Sequence, residues 1–407
     1  MIGATAATTT FINAELWGSD ARSLRIEATR ISALGARPAS GERVLDLGGD
    51  RIFPGLINAH DHLQLNGLPH LIYRPRYANA SRWISDVKRR LDSDPELIAQ
   101  RAVSRADRLL LGGIKNILSG VTTVAHHDPL HACLIGSQFP TRVLSQFGWS
   151  HSLYLDGAAS VRRSHHATPV GQPWIIHAGE GTDAEAAAEF DRLLDLDCIT
   201  SNTLLVHGIA FSAHQQRLLA TACAGLIWCP SSNLNLYGST PDVSELIALR
   251  RIALGSDSRI SGGRDLLEEL RLAREVSGHD EDTVVPLVTG QAATLLRFAD
   301  RGVLRQGALA DLMVLPAGMS LSQATRADIR LVVLDGRPCY GDWCYAAALD
   351  SPENFARVRI DGREKALARA WVQRLAQSPL REPGLEWAAQ LRGTPQQRHH
   401  HPGGIPA

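Results

Sequence analysis

From Arg51 onward the chain is built of short apolar runs, several of which stop on a histidine or an aspartate. RIFPGLINA leads into His60, PWII into His177, LLV into His207 and IALGS into Asp257. Between such runs lie segments with helical apolar spacing, at 95–118, 183–196, 213–222 and 264–276. Strands that alternate with helices run parallel, because each helix carries the chain back to the start of the next strand. Eight such units in 407 residues predict an α/β fold: a (β/α)8 TIM-type barrel, with its chemistry at the C-terminal ends of the strands.

The two ends of the chain read differently. Short strands are expected at 8–13, 23–27, 30–33 and 43–46. After Gly302, GVLRQGALADLMVLP and IRLVVLDGRPCY read as strands joined by Gly, Asp and Pro turns. These segments predict a small β-sandwich domain formed by both chain ends. The expected division is 1–52 and 302–345 for the two parts of the sandwich and 53–301 for the barrel. Residues 346–407 are expected to hold a C-terminal helix, over 353–376, and then a polar tail. That tail, RGTPQQRHHHPGGIPA, has the composition of a disordered segment, and its three histidines read as solvated. The stretch 128–173 is short for a third and a fourth unit. Its YLDGAASVRRSHHATPVGQ shows no clear helix, so these units should be compressed or irregular.

Charge narrows the partners. Forty-two Lys and Arg balance forty-two Asp and Glu, which disfavours the clustered positive charge of nucleic-acid or anionic-membrane binders. No run of about 18 apolar residues exists to span a bilayer. The N-terminus, MIGATAATTTFINAEL, lacks the pattern of a signal peptide. Six scattered cysteines without CxxC spacing suit free thiols in a reducing compartment. The expectation is a cytoplasmic protein with a small-molecule substrate and neither a nucleic-acid nor a membrane partner.

On a strand, His60 and His62 project to one face and can converge on one point. Taken alone, an HxH pair is weak evidence for a metal. Further strands ending in His177, His207 and Asp257 strengthen it, and imidazole with carboxylate suits zinc, iron or manganese. PGLINAHDH, IIHAGE, LLVHG, CPSSN, LGSDS and GALADLMVL, in that order over residues 10 to 340, resemble the amidohydrolase superfamily. The branch resembled holds cytosine deaminases, S-adenosylhomocysteine deaminases and triazine hydrolases.

The resemblance implies one divalent metal, Zn2+ in first place with Fe2+ or Mn2+ as alternatives, held by His60, His62, His177 and Asp257. It implies that Glu180 shuttles a proton from water to the leaving group, which needs a pKa near the working pH. It implies that His207 contacts the attacking water or the substrate, where it could stabilise a tetrahedral intermediate. Asp257 could accept a hydrogen bond from the water as well as ligate. Many binuclear members bridge two metals through a carboxylated lysine. No lysine lies between Lys115 and Lys365, and 121–174 contains no glutamate, so a mononuclear site is expected.

Gln64 and Asn66, whose amides could read the edge of a heterocycle, are candidate substrate contacts. So are His126 or His127 at the end of the second strand, and Asn233 in CPSSN. Arg259 could meet an anionic group, and Trp174 reads as core. The expected activity is hydrolytic deamination of a heterocyclic amidine such as a purine, pyrimidine or triazine. Ring opening of a cyclic amide or imide, or displacement of another leaving group, would use the same site. A non-enzymatic barrel relative would have lost ligands that are present here. The HxE and PCxxC pattern of nucleobase editors is absent. Relatives of this kind are often dimers or larger, so a homodimer is expected.

Overall fold

Eight strands run parallel in two ladders. One holds β1 (Leu56–Asp61), β2 (Val121–His126) and β3 (Arg142–Val143). The other holds β4 (Gly148–Trp149), β5 (Trp174–Ala178), β6 (Thr203–His207), β7 (Gly225–Trp228) and β8 (Ile252–Leu254). The computed structural model describes residues 8–387; the expected tail, with its three histidines, lies outside the described residues. The ladders meet at a parallel bridge between Asp61 and Asp257, past the end of β8. The result is an α/β fold with parallel sheets.

The strands are near-continuous apolar runs because both of their faces are covered. On β5, Trp174 and Ile176 join the large cluster under the helices, while Ile175 joins a second cluster with Ile57, Ala59, Leu204, Val206 and Ile227. Trp174 is fully buried. Irregular backbone sits where the ladders end. The β1–β2 register shifts between Asn58 and Asp61, and His207 and Asp257 adopt left-handed φ values of 76° and 53°. Such breaks re-aim side chains at the rim of a sheet.

The chain ends build two further sheets. Arg51–Pro54 pairs antiparallel with Leu312–Leu315 inside an eight-stranded sheet. The strands Thr9–Ile12, Leu24–Glu27, Arg30–Leu34 and Arg43–Asp46 form a four-stranded one. Phe11 and Ile26 from the smaller sheet share an apolar cluster with Ile52, Leu312 and Val333 from the larger.

Two local expectations are corrected. The expected helix over 353–376 is mostly a hairpin: Phe355–Ile360 and Arg363–Ala368 pair antiparallel, and only Arg369–Ala376 is helical. FARVRI alternates buried and exposed with a period near two, and Asp361 and Gly362 both take positive φ, the turn that Asp-Gly favours between strands. In 128–173 the third and fourth strands are two residues each, as compression predicts. A helix nevertheless forms over Ala158–Ala167, inside the stretch that shows no clear helical pattern. One face of it buries Val161 and His165.

The C-terminal segment is held by buried charge. Glu382 accepts hydrogen bonds from Arg326 Nη1 at 2.5 Å and from Arg259 Nη2 at 2.6 Å, and Arg326 is 1% exposed. Arg259, expected as a possible anion contact at the pocket rim, is thus committed to Glu382. Breaking a buried pair leaves a charge without compensation. Arg326→Met should therefore cost about 3–5 kcal/mol in denaturant-induced unfolding; a cost near zero would show that Arg259 alone satisfies Glu382.

Candidate metal centre

Four histidines at or just past the strand ends have one ring nitrogen tied outward. His62 Nδ1 pairs with Asp128 Oδ2 at 2.8 Å, and His177 Nδ1 donates to the His151 carbonyl at 2.7 Å. His207 Nδ1 donates to Asn233 Oδ1 at 2.8 Å, and His127 Nε2 to the Ser150 carbonyl at 2.9 Å. In a neutral imidazole this places the lone pair on the other nitrogen, the arrangement that metal-binding histidines use.

Those other nitrogens converge. His177 Nε2 lies 3.2 Å from His60 Nε2 and 3.3 Å from His62 Nε2. Asp257 Oδ1 lies 3.5 and 3.7 Å from the Nε2 atoms of His60 and His62. Its Oδ2 accepts from the hydroxyls of Ser232 and Ser261, at 2.8 and 2.7 Å. His127 Nδ1 is buried without a partner. One nitrogen from each of His60, His62, His127 and His177 falls within 4.8 Å of the others. Lone pairs and a carboxylate that face one another repel unless a cation sits among them, so the donor set fits a divalent metal of the zinc, iron or manganese type.

Without metal, the chain meets that demand with a proton. Burial pulls the His62 imidazole down, but the Asp128 hydrogen bond and charge, with Asp257, lift it to about 9. Burial holds His60 at about 4 and His177 well below the usual imidazole range. The His62 pKa is raised above its ordinary 6.5. Its pairing therefore stabilises the metal-free fold fully below pH 6.5 and is lost as pH rises through about 9. Metal must displace that proton. Affinity for Zn2+, measured by chelator competition, should climb with pH by about tenfold per unit and level off near 9. Asp128→Asn should move the plateau to lower pH; an unchanged profile would remove His62 from the metal shell.

Glu180 follows β5 beyond Gly179, whose φ of 65° turns the chain at the strand end. Its Oε1 accepts from the Tyr237 hydroxyl at 2.8 Å and lies 3.8 Å from His207 Nε2. Burial pushes the carboxyl pKa up, against the opposing pull of His207. Gly255, two residues before Asp257, has no room for a side chain, since a Cβ there would come within 2.7 Å of His60 Cβ.

The expected substrate contacts fare less well. Both ends of the Asn66 amide are taken: Nδ2 donates to Asp61 at 2.7 Å, and Oδ1 accepts from Lys115 at 2.9 Å and from the Arg259 amide at 3.2 Å. Asn233 holds His207 and donates to Thr240 at 3.2 Å, so its amide serves orientation. Gln64 Nε2 donates to Asp128 at 2.6 Å, which leaves Oε1 buried without a partner. His126 accepts from the Leu63 amide at 3.3 Å, and burial lowers its pKa to about 4.

Asp128, Tyr237, Ser232 and Ser261 escaped sequence reasoning. Asp128 directly follows the histidine pair that ends β2, and Ser232 lies inside CPSSN; Tyr237 and Ser261 carry no such signal. The cavity against His177 and Glu180 measures about 20 Å³ and is bounded by Asn79, Ser152, Tyr154 and Glu189 among others. That is room for one water. A larger cavity of about 840 Å³ lies beside Asn66 and Arg264, but none of the converging histidines lines it.

The amidohydrolase family model matches residues 159–339. The 5-methylthioadenosine/S-adenosylhomocysteine deaminase of Haloarcula marismortui is 26% identical over 364 residues, covering 73% of this chain and 82% of that one. The enzyme of the same name from Haloquadratum walsbyi is 27% identical over 346 residues, covering 72% and 73%. Among solved structures, an adenosine deaminase from Xanthomonas campestris with bound zinc superposes with a TM-score of 0.65 at 17% identity, over 91% of this chain and 99% of that one. Atrazine chlorohydrolase from Arthrobacter aurescens TC1, complexed with zinc, does so with a TM-score of 0.65 at 16% identity, over 81% and 94%. Among the described residues no helix is long and apolar enough to cross a membrane. The chain thus matches the amidohydrolase family model over part of its length, residues 159–339, and shares a TIM-barrel-like α/β fold with these solved structures.

Proposed function

We propose that this protein is a mononuclear metal-dependent hydrolase that deaminates a heterocyclic amidine, of the kind found in purine nucleosides or aminotriazines. The observation that carries the reading is the approach of the His60 and His62 Nε2 atoms to within 3.3 Å of His177 Nε2, with Asp257 alongside and a buried Glu180 on the same rim. The deaminases and the triazine-acting hydrolase to which the chain is similar support the same substrate class. The finer architecture belongs to this reading: the eight strands close into a barrel with the site at their C-terminal ends, and the two end sheets form a sandwich beside it.

His60, His62, His177 and Asp257 would hold the metal, with Zn2+ favoured. When bound, such a metal lowers the pKa of water from 15.7 towards about 7, which makes a nucleophile at neutral pH. The chain supplies the proton path. Glu180 Oε1 is occupied by Tyr237, so Oε2 is the atom free to take a proton from water and return it to the departing nitrogen. A raised pKa suits a group that must do both. Asn233 fixes the His207 tautomer and keeps its Nε2 towards Glu180. Asp257, steadied by two hydroxyls, keeps a constant position while protons move. A heterocycle needs more than the 20 Å³ beside Glu180, so the segments carrying Asn79 and Ser152 must part to admit it.

The test is ammonia release by Zn2+-loaded protein, assayed against purines, pyrimidines, adenosyl nucleosides, triazines and small cyclic guanidines. Stoichiometric ammonia from one ring class establishes deamination and names the class. Silence across the panel with metal confirmed bound would reject ammonia as the leaving group and direct the search to cyclic amides and imides.

A further inference from the structure

A buried lysine lies behind the metal centre with no part in the chemistry above. Lys115 is fully buried, and its Nζ donates to Asp61 Oδ2 at 3.2 Å, Asn66 Oδ1 at 2.9 Å and Ser256 Oγ at 3.1 Å. Asp61 stands between two of the converging histidines, and Ser256 directly precedes Asp257. Asp61 is saturated with donors, which also include Asn116 Nδ2 at 2.8 Å, Asn66 Nδ2 at 2.7 Å and Ser256 Oγ at 3.3 Å. Asn58 completes the knot through the Ser256 amide at 3.0 Å and hydroxyl at 2.8 Å.

The place of this knot matters. His60 and His62 belong to one ladder, and Asp257 follows the last strand of the other. The backbone joins them by two hydrogen bonds, Asp257 N to the His60 carbonyl at 3.0 Å and His62 N to the Asp257 carbonyl at 3.2 Å. Every side chain named above bridges that seam or braces a residue that does. Lys115 is delivered by the helix Arg105–Leu118, capped by Ser104. That helix seats against the turn after His62 so closely that a Cβ on Gly112 would meet the Leu63 carbonyl oxygen at 2.3 Å.

We propose that the Lys115–Asp61 pair is a positioning device for the metal centre: it locks the seam so that His60 and His62 from one side and Asp257 from the other meet a single ion. Apolar residues of similar volume would stabilise the fold as well as a buried ion pair does. The contribution of the pair is therefore directional, as with partners that orient metal ligands elsewhere. The proposal rests on the metal reading of the site.

The test measures Zn2+ affinity by chelator competition and the Co2+ absorption spectrum of the full chain. Lys115→Met and the charge-neutral pair Lys115→Met with Asp61→Asn should bind Zn2+ about 10–100-fold more weakly and show an altered Co2+ spectrum. Lys365, a buried lysine paired with Asp342 at 2.6 Å in the end sheet, is the control. Lys365→Met should lower the thermal midpoint yet leave metal affinity unchanged. Folded Lys115 variants with wild-type affinity and spectrum would overturn the proposal. Where both fail to fold, Ser256→Ala decides, a several-fold loss of affinity supporting the clamp and no change overturning it. A wild-type chain that binds no metal would instead overturn the metal reading, and the clamp with it.

Discussion

Glu180→Gln should retain its metal and lose turnover by about 10²–10⁴-fold, the range that general acid–base catalysis supplies. Glutamine is isosteric and can still accept the Tyr237 hydrogen bond, so the local packing survives. What it cannot do is carry a proton from water to a leaving nitrogen. Burial raises the Glu180 pKa, so the acid limb of the wild-type pH–rate profile should lie above the ordinary carboxyl range, and the variant should lack it. The comparison is kcat and metal content side by side, with circular dichroism to show the same fold. Turnover within a few-fold of wild type would remove Glu180 from the reaction. Loss of metal along with activity would mean that it acts as a ligand instead.

The parts of this site that are legible in sequence share one property: they are local. His60, His62, His177, His207 and Asp257 each end an apolar run, so their place at a strand terminus follows from the run itself. Asn66 shows the limit of that logic. Its type and its distance from the HDH motif suggest an amide free to read a ring, yet Asp61, Lys115 and Arg259 consume it. None of those partners is implied by the spacing, since two of them come from other elements. Lys115 entered the sequence argument only as one of the two lysines bounding a lysine-free stretch, because nothing local marks it as buried. The stretch 353–376 misled for a different reason. Its charged residues recur at intervals that a helix can also satisfy, whereas Asp361-Gly362 and the period-two burial of FARVRI decide for a hairpin. Asp128 is an intermediate case, adjacent to a histidine pair but recognisable as the partner of His62 only once β1 and β2 lie side by side.

The larger effect is expected at His60. This imidazole is fully buried, its pKa is held at about 4 by burial, and its Nε2 faces both His177 and Asp257. A buried neutral ring with its Nε2 turned inward has little to offer the fold. Its Nδ1 finds no partner at all. Its energetic reward must come from a cation. His60→Ala should therefore be purified nearly free of metal, turn over at background, and no longer respond to added Zn2+. In the wild type, Zn2+ at about 100 times its Kd should add roughly 2.7 kcal/mol to the native state through binding linkage, and the thermal midpoint should rise accordingly. In the variant, the midpoint should stay where it is without metal. These two readouts separate the alternatives. A variant that has lost activity but still gains stability from Zn2+ keeps its metal elsewhere, and the ligand set built on His60 would be wrong. A variant that is blind to Zn2+ but otherwise as stable as the metal-free wild type ties the cation to the point where β1, β5 and the end of β8 meet.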